Sequence, residues 1–173
     1  CHVYLDEDAD SKKAKEIALN AKTYRFGICG AMETLLISET LDSSLIQEII
    51  NLFEQNQVEI RGCKVTSNKF NTLEAKEDDW KSEYLAPIIA IKIVKDVNEA
   101  IEHIKFYGSG HTDCIVTENQ EAKNLFLRKV DSSSVMHNLP TCFADGFEYG
   151  LGAEVGISTD KLHARGPVGL EGL

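Results

Sequence analysis

The sequence predicts an α/β domain of three layers, a mostly parallel, twisted sheet with helices on both faces. Three observations lead there. Short apolar runs rich in β-branched residues alternate with stretches of helical period along most of the 173 residues. One run, Ala86-Pro-Ile-Ile-Ala-Ile-Lys-Ile-Val94, is almost continuously apolar, as a strand covered on both faces must be. The connections are long enough to hold helices, and parallel strands require such crossovers.

In order, His2-Val-Tyr-Leu5 reads as a first strand, followed by the polar link Asp6-Glu-Asp-Ala-Asp10. Ala14, Ile17, Ala18 and Ala21 fall at i, i+3, i+4 and i+7, one face of an amphipathic helix. Glu33–Ser38 is a strand. Asp42 and Ser43 cap a second helix whose buried stripe is Leu45, Ile46, Ile49, Ile50 and Phe53. After residues 86–94, Asp96-Val-Asn-Glu99 is a capping-box pattern, in which the Asp accepts from the amide three residues on and the Glu reaches back. Ala100, Ile101 and Ile104 give that helix its apolar face, and Gly108 is placed to stop it. Cys114-Ile-Val-Thr117 is a strand, a helix surrounds Ala122, Leu125 and Phe126, and Ser134-Val-Met136 is the last strand of the series. Seven of the 12 glycines lie between residues 146 and 172, interleaved with Phe147, Tyr149, Leu151, Val155 and Ile157. That mixture predicts ordered, closely packed backbone rather than a linker.

Composition restricts function. Eighteen Lys and Arg against 28 Asp and Glu leave a formal charge of −10. Such an acid excess argues against nucleic-acid or anionic-membrane binding, both of which rest on clustered cations. No apolar run approaches the ~20 residues that span a bilayer. Small anionic substrates remain compatible, given a locally basic pocket.

Five cysteines, at 1, 29, 63, 114 and 142, form no C-x-x-C pair, so neither a disulfide framework nor a structural zinc site is expected. Cys63 and Cys114 fall in strand-like runs and read as core packing. Cys29 differs. It stands in Arg25-Phe-Gly-Ile-Cys-Gly-Ala31, between a helix and a strand, where flanking glycines let the backbone turn and a substrate approach. A cysteine nucleophile needs a thiolate, donors for the oxyanion and a leaving group, and the amides around residues 27–30 are candidate donors. No general base adjoins Cys29 in sequence.

Other motifs weigh less. Gly150-Leu-Gly-Ala-Glu-Val-Gly156 lacks the spacing of a dinucleotide loop and runs into an extended segment where a helix should start. His111-Thr-Asp-Cys114 gathers metal-ligand types, but neighbours along a strand face opposite ways, so a turn with local hydrogen bonds is expected and no metal. His163-Ala-Arg-Gly-Pro167 is either a surface or interdomain turn, or a site where Arg165 pairs with an anionic substrate group or another domain.

Cys29-Gly-Ala-Met-Glu-Thr-Leu-Leu36, Tyr107-Gly-Ser-Gly-His-Thr-Asp113 with Ile115-Val-Thr-Glu118, and Phe143-Ala-Asp-Gly146 through Val168-Gly169 together resemble the γ-glutamyl phosphate reductase family. The reductase half of bifunctional pyrroline-5-carboxylate synthases is similar. The resemblance covers essentially the whole chain and implies the catalytic-domain fold of the aldehyde dehydrogenase superfamily. It implies one catalytic domain over residues 1–173, with the cofactor-binding and oligomerisation segments outside this chain, and hence no hydride transfer by the chain alone. The implied reaction is NADPH-dependent reduction of γ-glutamyl phosphate to glutamate semialdehyde in proline biosynthesis, through a thioester on Cys29. Glu83 matches the superfamily Glu that bonds the nicotinamide ribose; on the residues alone it is a solvated helix-end carboxylate. Asn138 and Arg165 fall among the implied substrate-binding residues. The implied parent is a cytoplasmic homo-oligomer linked to glutamate 5-kinase, or a mitochondrial one if it is a bifunctional synthase.

The chain departs from the family pattern at Phe26 (usually Pro), Gly30 (usually Asn) and Cys142 (commonly Arg). Loss of a side-chain donor beside the nucleophile and of a cation bears on activity, and the alternative reading is a binding or interaction module that keeps the fold without turnover.

Overall fold

The computed structural model describes residues 1–172. Strands β1 (His2–Leu5), β2 (Thr34–Ser38), β3 (Glu59–Gly62), β4 (Leu73–Glu74), β5 (Ile88–Val94), β6 (Thr112–Val116) and β7 (Ser134–His137) form one sheet in the order β4-β3-β5-β2-β1-β6-β7. Every pairing in it is parallel, with Val3 opposite Leu35 on one side of β1 and Cys114 on the other. The mostly parallel sheet expected from sequence is thus wholly parallel among the described residues.

Alternation along the strands divides the core in two. Val3, Leu5, Leu35, Ile37, Ile89 and Ile91 face helices α1 (Ser11–Thr23) and α2 (Ser43–Gln55), whose Ala14, Ala18, Ile49 and Phe53 meet them. Tyr4, Leu36, Val94 and Ile115 face α4 (Val97–Tyr107) and α5 (Gln120–Lys129), through Ile101, Ile104 and Phe126. A short helix α3 (Lys64–Phe70) joins β3 to β4 and adds Phe70 to the first core. The predicted caps Asp42 and Asp96 form, and Asp10 and Asn119 cap α1 and α5 likewise; each accepts from backbone amides at the start of its helix.

Several expectations need correction. Cys63 lies outside β3; it is half-buried at the start of α3, with its sulfur 3.3 Å from Thr66 Oγ1. Glu99 reaches back one residue further than a capping box requires, accepting from the Lys95 amide at 2.7 Å. Gly108 does end α4, but with φ −68° and ψ 147° it leaves in an extended conformation rather than the left-handed one. Local pattern also missed α3, the 3₁₀ helix Glu77–Lys81 and a two-stranded antiparallel ribbon, β8 (Gly156–Ser158) with β9 (Gly166–Val168). These elements are too short to show a period. Close packing in the glycine-rich end is present: a side chain at Gly169 would come within 2.8 Å of the Ala153 carbonyl.

In open α/β sheets ligands usually bind beyond the carboxyl ends of the strands. Here a buried network helps close that edge, with Tyr4 and Thr117 hydroxyls donating to the two oxygens of Asp6 at 3.0 and 2.6 Å. The opposite edge, where β1, β2 and β6 begin, is open.

Candidate active site

Cys29 sits at that amino-terminal edge, in the turn joining α1 to β2. The turn's ends are fixed: the Met32 amide donates to the Ala21 carbonyl at 2.8 Å, and Ala31 donates to Ile28 at 3.0 Å. The thiol is exposed and lines a cavity of about 350 Å³. Other chain segments supply the rest of the wall. Cys1 and His2 come from the start of β1, Glu33 from the residue before β2, Glu83 from the segment after the 3₁₀ helix, and His111 from the approach to β6. Structure therefore brings Cys29 and Glu83 onto one cavity although they stand 54 positions apart in the sequence.

Partial burial pushes the Cys29 thiol above its ordinary pKa, and the Glu154 and Glu83 carboxylates add to that; the backbone N–H groups of Cys29 and Gly30 act in the opposite sense. Those two amides are the donors the sequence suggested for an oxyanion. The free thiol is thus held mostly protonated until something takes its proton.

Two imidazoles, His2 and His111, line the same cavity, and sequence reasoning gave neither a role beside Cys29. His111 is 7% exposed; its Nδ1 lies 2.7 Å from Thr112 Oγ1 and 3.5 Å from Cys1 Sγ, which itself donates to the Cys29 carbonyl at 3.2 Å. Burial lowers its pKa to about 4, so the ring is neutral near pH 7. His2 is held by Asp113, whose Oδ1 accepts from the His2 backbone amide at 2.9 Å and contacts Nδ1 at 2.8 Å. Hydrogen bonds from His2 and Ser132 keep the Asp113 carboxyl ionised against burial, which fixes the proton of His2 on Nδ1. In both rings Nε2 is buried and unpartnered. The expected turn at His111 is therefore present, but Asp113 is engaged over long range rather than locally. The signal available in sequence was His2, which pattern alone could not bring to the cavity because Asp113 lies 111 residues away.

The other predicted residues lie elsewhere. Asn138 adopts φ +54° just after β7; its side chain accepts from the Thr117 amide at 3.0 Å and donates to the Thr117 carbonyl at 3.2 Å and to Glu118 at 3.1 Å. It locks the far, carboxyl-terminal edge of the sheet. Arg165 donates to the Asp131 carboxylate at 2.7 Å and carbonyl at 2.9 Å, anchoring the β8–β9 ribbon to the segment before β7. Neither lines the cavity around Cys29. Cys142 lies on the other side of the Cys29 turn, in a second cavity of about 650 Å³ shared with Asn20, Arg25 and Ile28, its thiol donating to Asn20 Oδ1 at 3.3 Å. Two departures from the family pattern prove to be neighbours: a Cβ on Gly30 would stand 3.3 Å from the Thr141 carbonyl oxygen and 3.4 Å from Cys142 Cα. The absence of a side chain at Gly30 thus lets two segments approach closely, and Thr141 Oγ1 donates to the Gly30 carbonyl at 2.7 Å across the contact. Among the described residues no cluster of three or more His, Cys, Asp or Glu side chains could hold a metal ion.

No family model matches the chain. Solved structures do. The γ-glutamyl phosphate reductase of Thermotoga maritima is 48% identical with a TM-score of 0.96, over 99% of this chain and 42% of its own. That of Saccharomyces cerevisiae is 33% identical with a TM-score of 0.65, over 93% of this chain and 43% of its own. An acetylating aldehyde dehydrogenase from Geobacillus thermoglucosidasius, 20% identical, shares the fold with a TM-score of 0.60 over 88% of this chain and 42% of its own. The chain thus spans about two-fifths of these proteins. With nearly half its residues matched in one architecture, it belongs to the γ-glutamyl phosphate reductase family.

Proposed function

We propose that this chain is the catalytic domain of an NADPH-dependent reductase that converts γ-glutamyl phosphate to glutamate semialdehyde, with Cys29 as nucleophile. One observation carries the reading: an exposed thiol shares a single cavity with Glu83 and two neutral imidazoles, in a chain 48% identical to a γ-glutamyl phosphate reductase.

The residues divide the work as follows. When the acyl phosphate enters, the Cys29 thiol gives its proton to a cavity imidazole and its sulfur attacks the γ-carbonyl carbon. The amides of Cys29 and Gly30 stabilise the negative charge that develops on the carbonyl oxygen. The carbon–oxygen bond to phosphate then breaks, and phosphate departs with the proton returned by the imidazole. A thioester is the useful product, because sulfur shares its electrons poorly with the carbonyl and leaves it open to hydride. His111, on the same cavity and neutral near pH 7, is the imidazole assigned this role, since it needs no prior deprotonation.

Glu83 on the cavity wall supports a nicotinamide cofactor there, since its carboxylate can accept from ribose hydroxyls. A bound nicotinamide cofactor would supply the hydride. An engineered glycolyl-CoA reductase of the same fold, 16% identical with a TM-score of 0.61, was solved with bound NADP+, which supports this class of cofactor. The reading extends to a glutamate kinase as the source of substrate, since an acyl phosphate hydrolyses readily and must be made by phosphoryl transfer to the carboxylate. Phosphate release tests the proposal without any cofactor: γ-glutamyl phosphate should release one equivalent of phosphate per chain in a rapid burst, and Cys29→Ala should abolish it. A burst that survives in Cys29→Ala refutes the assignment.

A further inference from the structure

The nucleophile turn and the segment carrying Glu83 are joined by one buried carboxylate. Glu33, 6% exposed, lies at the end of the Cys29 turn. Its Oε2 accepts from Lys22 Nζ at 2.5 Å, and Lys22, in the last turn of α1, is completely buried. The pair therefore clamps the two ends of the turn that holds Cys29. Glu33 Oε1 accepts from the Leu85 amide at 3.3 Å, two residues beyond Glu83. Leu85 has φ +50°, a conformation that costs a leucine energy and persists only where its surroundings hold it. Lys22 Nζ also lies 5.9 Å from the centre of the Tyr84 ring. A buried ion pair adds little net stability over apolar residues of similar size, so stability alone does not account for this one.

We propose that Glu33 is a positioning residue: through the Leu85 amide on one side and Lys22 on the other, it sets the spacing between Cys29 and Glu83 across the cavity. The inference rests on the reading of that cavity as the reaction site. It asks of Glu33 no contact with substrate, only that it hold two segments which have no covalent reason to stay in register.

The test compares alkylation of Cys29 by iodoacetate and by iodoacetamide in the intact chain, with adducts located by mass spectrometry. The rate ratio reads negative charge near the sulfur. Glu83→Gln should raise the iodoacetate-to-iodoacetamide ratio about threefold, the scale of removing one carboxylate near a solvated thiol. Two neutral replacements of the buried pair then isolate the tether. Lys22→Met with Glu33→Gln keeps an oxygen for the Leu85 amide and should retain the original ratio. Lys22→Met with Glu33→Met removes that oxygen at unchanged net charge; it should raise the ratio as Glu83→Gln does, with no further rise when the two changes are combined. Equal ratios in the two Lys22 variants, or a full additional threefold effect of Glu83→Gln on the Met/Met background, overturn the proposal. If Cys29 is not the preferred site of alkylation in the unaltered chain, the reading of the cavity fails and the positioning role falls with it. Preferred alkylation of Cys29 with an unmoved ratio removes the positioning role alone.

Discussion

Acid should destabilise this protein well before its carboxylates titrate, because neutral histidines are built into the cavity wall and the layer behind it. Burial lowers the pKa of His103 to about 3, helped by the neighbouring His2 and Lys92, and that of His111 to about 4. Both fall from an unfolded value of 6.5, so the unfolded chain binds protons first as pH drops. The stabilising contribution is complete above pH 6.5 and is lost progressively as pH falls toward the folded values. At about pH 5 each group costs about 1.5 pH units at 1.36 kcal/mol, or roughly 2 kcal/mol, and the two together about 4 kcal/mol. His2, also lowered by burial, works in the same direction, while Glu33, raised by burial, works against it. A loss of that size is a large part of the 5–15 kcal/mol typical of a domain, about as much as it can lose and remain folded. The single tryptophan, Trp80, packs edge-on against His103 with ring centres 5.7 Å apart and reports the transition directly. Urea titrations followed by its fluorescence should give an unfolding free energy lower by about 4 kcal/mol at about pH 5 than at about pH 7, and His103→Phe should remove roughly half of the difference. Stabilities within about 1 kcal/mol of each other at the two pH values, or a difference untouched by His103→Phe, would refute the reasoning.

Three further outcomes follow from the geometry. Iodoacetamide should modify Cys29 much faster than Cys114, which is fully buried and whose thiol pKa burial raises to about 12; peptide mapping after brief exposure decides it. Asn138→Ala should lower stability by about 1–3 kcal/mol, since it strips partners from Thr117 and leaves alanine in a left-handed conformation, yet leave the Cys29 alkylation rate unchanged; chemical denaturation and the labelling rate separate the two. Asp96→Ala should cost about 1 kcal/mol, because its carboxylate caps α4 at the Asn98 and Glu99 amides, and a shift in urea midpoint at constant slope would register it.

The layers of the fold were legible because their determinants are local and periodic. The Ala14–Ala21 stripe, the Leu45–Phe53 stripe and the unbroken run at residues 88–94 each state which face is covered, and the two cores follow from the alternation of Val3 and Leu5 against Tyr4. Strand order was not legible, since nothing local in β5 says that it lies between β3 and β2. The site shows the same division. Cys29 stood out by its glycine neighbours, and Glu83 through resemblance. His2, His111 and Glu33 line the Cys29 cavity only because β1, β2 and β6 start side by side, a fact of register that no single segment encodes. Asn138 and Arg165 lie off this cavity for a related reason. A polar residue with the right hydrogen-bonding capacity can serve a strand edge or a ribbon as well as a substrate, and the partners found here, Thr117 and Asp131, are not adjacent to them in sequence.

The central claim is that Cys29 accepts the γ-glutamyl group from an acyl phosphate. Brief incubation with γ-glutamyl phosphate, acid quench and peptide mass spectrometry test it most directly. The account predicts one γ-glutamyl adduct, on Cys29, labile to hydroxylamine, formed in step with phosphate release and absent from Cys29→Ala. An adduct on Cys1 or Cys142 instead, or phosphate release with no adduct at Cys29, would contradict it.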